Sequence, residues 1–303
     1  MEHDPLIKIL TSTPKGKAAT EKLLAMHPNQ EEISPQSVYK AGSREARMLC
    51  NDFVPYLLLP GSRLIGSEHL KKLYDLSQAG HSCLLLLEHY GNFDMPMFAY
   101  QTDNDPLLGP DFADHFVSIA GVKLSQDNAF ISAYVQSYNR LIIWPSRGYD
   151  KMNDEQKKEM MALNMASMKE LTARKYKGQM FLVFPSGTRI RPWAPDTRKG
   201  VREIASYVKS FQYLCFVSMN GNVLPVDEND SNLSADKPRP DVLLFTASEV
   251  VSSKDYLAEC NQSLPEGGDV KAHIVGCVMD KLLAMHEAGQ PIYEAEMAKH
   301  KGP

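Results

Sequence analysis

Hydrophobic and polar positions change rhythm along this chain. From about residue 5 to 50, Ala, Glu, Lys, Leu and Met dominate between the breakers Ser34, Pro35 and Gly42, which predicts short helices separated by turns. From about residue 60, strand-like and helix-like patterns alternate. Leu70–Ala79 is helical and stopped by Gly80. Cys83–Leu87 is an unbroken apolar run, as expected of a strand buried on both faces. A helix is expected from near Asn92, with Pro96 in its first turn. Further strands are expected at Phe116–Ala120, Leu141–Trp144, Met180–Phe184, Leu214–Val217 and Val242–Phe245.

Between the strands, Asn153 with Gln156 three residues on predicts a capping box for a helix running to about Arg174. Met161, Met165, Met168 and Thr172 recur along it at helical spacing and are expected in the core. A shorter helix is expected near Val201–Ser210. Residues 221–240, rich in Asn, Asp, Ser and Pro, read as a surface excursion. Asp269–Ala288 reads as a closing amphipathic helix. The alternation predicts an α/β fold: a mostly parallel central sheet covered by helices on both faces, with a small N-terminal helical domain. The boundaries drawn are residues 1–50 for the helical domain and 51–303 for the α/β domain. Ligands in such sheets gather at the carboxyl ends of the strands.

Composition narrows the picture. An apolar share of 43% over 303 residues fills a sizeable core. The formal net charge of -4 gives no global attraction to nucleic acid or anionic lipid, so any anion site is local. Cys50, Cys83, Cys215, Cys260 and Cys277 include no CxxC pair and are expected as reduced, mostly buried thiols in a cytosol-like compartment. The N-terminus does not have the pattern of a secretory signal, and no window approaches the roughly 18 to 20 apolar residues of a membrane span. A soluble protein is expected, cytoplasmic or in a compartment like the plastid stroma, with peripheral membrane contact left open. The nine histidines form no ligand-spaced cluster, so no metal is expected.

Three strand ends carry polar chemistry. Glu88-His89-Tyr90-Gly91-Asn92-Phe93-Asp94 follows the Cys83–Leu87 run. With His89 on the strand-to-helix turn, Asp94 lies about one turn into the helix. Its carboxylate then reaches one imidazole nitrogen and leaves the other as a proton acceptor. Arg147 follows the Leu141–Trp144 strand. Pro185-Ser186-Gly187-Thr188-Arg189-Ile190-Arg191-Pro192 follows the strand at 180–184. There Arg189 and Arg191, two apart in an extended loop, would point the same way and clamp a phosphate. Ser186, Gly187 and Thr188 offer a loop of backbone N–H groups to substrate or oxyanion. Arg198, Lys199 and Arg202 make the next helix start locally basic.

His-x4-Asp, an arginine after a second strand and then Phe-Pro-x-Gly-Thr-Arg together resemble the glycerolipid acyltransferases. Ser186, where most of that superfamily has glutamate, followed by Gly187, Arg189, Arg191 and Pro192, looks like the soluble, plastid-type glycerol-3-phosphate acyltransferases. The likeness runs from about Val54 to Val250. It implies His89 as base, Asp94 as its orienting partner, and Arg147, Arg189 and Arg191 as phosphate ligands. Arg147 stands where those enzymes tend to have a Lys-His pair, and Tyr90 replaces their usual Asn or Gln. It also implies glycerol 3-phosphate as acceptor and an acyl carrier protein or coenzyme A thioester as donor and co-substrate, with no bound cofactor. Direct acyl transfer would give lysophosphatidic acid, with Met95, Met97 and Phe98 as candidates for an acyl groove.

Three other readings compete. Acylation of 1-acylglycerol 3-phosphate to phosphatidic acid needs the same dyad and clamp. A serine hydrolase built on Ser186 and His89 lacks the G-x-S-x-G elbow. A phospholipid- or carrier-binding protein without activity would have no use for an intact His89 and Asp94.

Overall fold

The computed structural model describes residues 8, 11–27, 29, 31–122, 124, 129–145, 149, 152–228 and 236–300, with the side chains of 129–131 outside that description. The strands are β1 Tyr39–Lys40, β2 Arg63–Ile65, β3 Cys83–Leu87, β4 Phe116–Gly121, β5 Arg140–Ile143, β6 Met180–Val183, β7 Tyr213–Asn220, β8 Leu244–Ala247 and β9 Val251–Ser252. They form one mixed sheet in the order β1-β5-β4-β6-β3-β7-β8-β2, with β9 against β7. The run from β5 through β4, β6 and β3 to β7 is parallel. The pairs β1–β5, β7–β8 and β7–β9 are antiparallel.

The central strand shows why a continuous apolar run is needed. Cys83, Leu85 and Leu87 enter the core on one face, and Leu84 and Leu86 enter the core on the other. All five are fully buried, and burying each leucine side chain contributes about 2 kcal/mol.

One face is covered by α1 Pro14–Met26, α2 Arg44–Asn51, the 3₁₀ turn Val54–Leu57, α3 Ser67–Gln78, α4 Asp94–Asp103, α5 Gly109–His115 and α6 Ala129–Val135. The other is covered by α7 Asp154–Arg174, α8 Glu203–Ser210, α9 Ser253–Gln262 and α10 Val270–Ala298. The expected α/β sheet covered on both faces is therefore the fold. The N-terminal helices do not stand apart as a body with its own core. Ala19, Leu23, Ala46 and Cys50 share the core of the first sheet face, and β1 extends the sheet itself.

Three local expectations need correction. Met161, Met165 and Met168 are 57%, 72% and 39% exposed, while α7 buries Met160, Leu163, Ser167 and Leu171. The polar groups decide this. Ser167 Oγ donates to Ile142 O at 2.5 Å, and Asn164 exchanges bonds with the Trp144 backbone at 2.7 and 2.9 Å, which rotates that face toward β5. The segment after β7 is more than a surface excursion, because Val223 and Leu224 are buried in the core. The closing helix continues to Ala298 through Gly289 and Pro291. Gly289 leaves room for Asn220, whose amide donates to His286 O at 3.0 Å beside the interruption. Among the described residues no helix is long and apolar enough to cross a membrane.

Candidate active site

His89 lies two residues past β3, in the connection to α4. Asp94 opens α4, where a carboxylate is favoured by the helix dipole. Its Oδ2 is 2.9 Å from His89 Nδ1 and accepts from Tyr90 N at 2.5 Å and Gly91 N at 2.9 Å. Its Oδ1 also accepts from Gly91 N at 3.0 Å. An ionised carboxylate only accepts, so Nδ1 carries the hydrogen and Nε2 keeps its lone pair. No described residue bonds Nε2, and the His89 side chain is 17% exposed. The expected contact between His89 Nδ1 and Asp94 is formed.

The arginine loop is joined to this turn at two points. Phe184 stacks on the His89 imidazole at 4.1 Å between centroids and 20° between planes. Ile190 N donates to His89 O at 2.7 Å, so the residue between Arg189 and Arg191 is tied to the histidine's own backbone. Sequence reasoning named neither Phe184 nor Ile190 as a functional residue. Phe184 stacks on the ring, and its π face would favour an imidazolium over a neutral imidazole.

The two arginines differ. Arg189 is buried and its Nη1 forms an ion pair with buried Asp236, in the segment after β7. It is therefore not a free arm of a clamp. Arg191 is partly exposed. Its backbone N donates to Thr197 Oγ1 at 2.9 Å, and its buried Nε has no hydrogen-bond partner among the described residues. Arg147 lies outside the described residues.

The loop Ser186–Thr188 is folded on itself. Ser186 is buried, and its hydroxyl donates to Thr188 O at 2.6 Å rather than to His89. Gly187 N donates to Phe184 O at 2.9 Å, so that N–H is not open to an oxyanion. Gly187 has φ +60°, and a Cβ there would sit 2.4 Å from Val201 Cγ1. The glycine is needed for the turn itself. Met97 and Phe98 are fully buried in the core and Met95 packs on it partly buried, so the first two are packing rather than groove.

The His89 turn has neighbours from distant parts of the chain. Glu88, 3% exposed, accepts from Met219 N at 2.9 Å and from the Tyr90 hydroxyl at 3.1 Å. His286, on α10, places Nδ1 3.2 Å from Glu88 Oε2 and 2.8 Å from Met219 O. Arg198 Nη2 is 3.4 Å from the Tyr90 hydroxyl. Burial opposes the His286 charge, but the hydrogen bond and charge of Glu88 prevail and raise its pKa. Burial, then Glu88, pushes the Tyr90 phenol up as well. Gly91 leaves no room for a Cβ, which would meet Leu224 O at 2.9 Å. No group of three or more His, Cys, Asp or Glu among the described residues is arranged to hold a metal ion.

Comparison with models of known protein families finds no match to the chain, and comparison with curated proteins finds no match either.

Proposed function

We propose that the protein transfers an acyl group from an acyl carrier protein or coenzyme A thioester to the C1 hydroxyl of glycerol 3-phosphate. His89 carries this reading. Its Nδ1 is held at 2.9 Å by Asp94 and its Nε2 is without a described partner at the carboxyl end of a central strand. Nε2 takes the hydroxyl proton as the oxygen attacks the thioester carbonyl. The tetrahedral intermediate then collapses, the C–S bond breaks, and the imidazolium returns the proton to the thiolate. No acyl-enzyme forms, which fits a Ser186 hydroxyl already donated within its own turn.

The acceptor's phosphate would be held by Arg191, and by the N–H groups that Arg189 does not direct at Asp236. Arg147 remains a proposed third ligand. Anchoring the phosphate turns a chance encounter of hydroxyl and thioester into a positioned one.

The experiment offers purified protein one acyl thioester with either glycerol 3-phosphate or 1-acylglycerol 3-phosphate. Acylation of the first, lost in His89→Ala, is expected. Preference for the second moves the assignment to the later acylation. Transfer to neither, with glycerol 3-phosphate bound, turns it to a binding protein.

A further inference from the structure

We propose that His286 is a positioning residue for His89, acting through Glu88 and Tyr90, the two residues that flank it in the chain. This rests on the reading of His89 as the base.

Glu88 and Tyr90 are joined to each other around His89, since the Tyr90 hydroxyl reaches Glu88 Oε1 at 3.1 Å. A carboxylate only accepts, so the phenol donates to it. His286 closes the arrangement from α10. Its Nδ1 faces the Met219 carbonyl at 2.8 Å and Glu88 Oε2 at 3.2 Å, both acceptors, so Nδ1 carries a hydrogen. Its ring lies over that of Tyr90 at 5.5 Å and 30°. The Glu88 side chain is 2% exposed, and a carboxylate so buried needs several donors and a cation to be tolerated. Met219 N and the Tyr90 hydroxyl supply donors, and His286 Nδ1 supplies a third, shared with Met219 O.

Arg198 adds a cation. Its Nη2 is 3.4 Å from the Tyr90 hydroxyl and its guanidinium is 5.8 Å from the ring centre. It comes from the 3₁₀ turn Pro195–Arg198 that follows the arginine loop. The charged or titratable groups facing His286 are thus Glu88 and Tyr90 from the His89 turn and Arg198 from that 3₁₀ turn. The neighbours from β7, Met219 and Asn220, are uncharged. Residues on both sides of His89 are therefore fixed to β7, to α10 and to the 3₁₀ turn. Asp94 orients the ring, and the Glu88–Tyr90–His286 set holds the backbone from which it projects.

Two kinds of measurement on the full chain test this. In acyl transfer to glycerol 3-phosphate, His286→Ala is expected to lower kcat about tenfold while KM for the acceptor stays within about twofold. His286→Asn places an amide N–H near the Nδ1 position and is expected to recover kcat to within about threefold of wild type. Tyr90→Phe is expected to lower kcat in the same sense. Independently of activity, ¹⁵N-histidine spectra report the tautomer and titration of the His89 ring, assigned by its loss in His89→Gln. The wild type is expected to show the Nδ1–H form, and His286→Ala a mixture or a displaced midpoint. If His286→Ala does not fold, His286→Asn and Tyr90→Phe carry both readouts. An unchanged His89 ring signal in the variants that fold, with only their unfolding temperature lowered, overturns the proposal and leaves a structural contact. A wild type that acylates no acceptor overturns the acyltransferase reading instead, and the spectra still decide whether His286 positions His89.

Discussion

The His89 turn and the arginine loop lie side by side at the carboxyl ends of β3 and β6, yet they treat their charged groups in opposite ways. In the turn, the contacts of His89 leave Nε2 without a described hydrogen-bond partner: Asp94 is on Nδ1, Phe184 on the ring face and Ile190 N on the carbonyl. In the loop, one arginine is already paired with a buried carboxylate and the next has no such pair among the described residues. A neutral imidazole can keep an open lone pair at little cost. A buried guanidinium cannot stay uncompensated, so Arg189 is anchored by Asp236, while Arg191 is partly exposed and has no carboxylate partner among the described residues. Spacing made the two arginines look equivalent, and burial separates them.

Removing the proposed base gives the largest expected effect. His89→Ala is expected to lower kcat by about a hundredfold to ten-thousandfold, with the unfolding midpoint little changed, because the side chain is not a core residue. Steady-state rates with purified variant check this, and activity within tenfold of wild type excludes His89 as the base. The arginines should then divide. Arg189→Ala deprives buried Asp236 of its guanidinium and is expected to cost about 3 kcal/mol of stability in denaturant unfolding. Arg191→Ala is expected to leave stability within about 0.5 kcal/mol and to raise KM for glycerol 3-phosphate about tenfold. Equal effects of the two on KM, with equal stability, would restore the symmetrical clamp.

What was legible in the sequence follows chain distance. The β3 run, the Asn153 capping box and the His89–Asp94 pair depend on residues within five positions of one another, and all three form. Arg189–Asp236 and Glu88–His286 span 47 and 198 positions, and no local pattern announces them. The methionine stripe failed for another reason. Helix α7 carries apolar residues on two adjacent faces, Met160 and Leu163 beside Met161 and Met165, so periodicity alone cannot choose between them. The choice fell to Asn164 and Ser167, whose partners lie on and just after β5.

A smaller effect is expected at the loop's turn. Gly187→Ala forces a side chain to φ +60° and against Val201, which should cost about 1 to 2 kcal/mol of stability. Chemical denaturation measures it, and because the strain falls outside the His89 contacts, kcat should fall far less than in His89→Ala. A kcat loss as large as that of His89→Ala would mean that the loop and the turn act as one unit.

The smallest effect separates the two long-range anchors by pH. His286 has its pKa raised in the folded protein by Glu88, against the opposing effect of burial. A raised value means that the folded state holds the proton more tightly than the unfolded chain. The contribution is therefore complete below the ordinary histidine value of about 6.5 and is lost as pH rises through the folded value. The stability deficit of His286→Ala should be greatest below about pH 6.5 and shrink as pH rises above that value. It should not vanish, because the Nδ1–H bond to Met219 survives loss of the Nε2 proton. The deficit of Arg189→Ala should stay level across the same range, since a guanidinium does not titrate there. Urea unfolding of both variants at several pH values reads the contrast directly. A level deficit for His286→Ala would mean that His286 holds Glu88 and Tyr90 as a neutral donor, by geometry without charge.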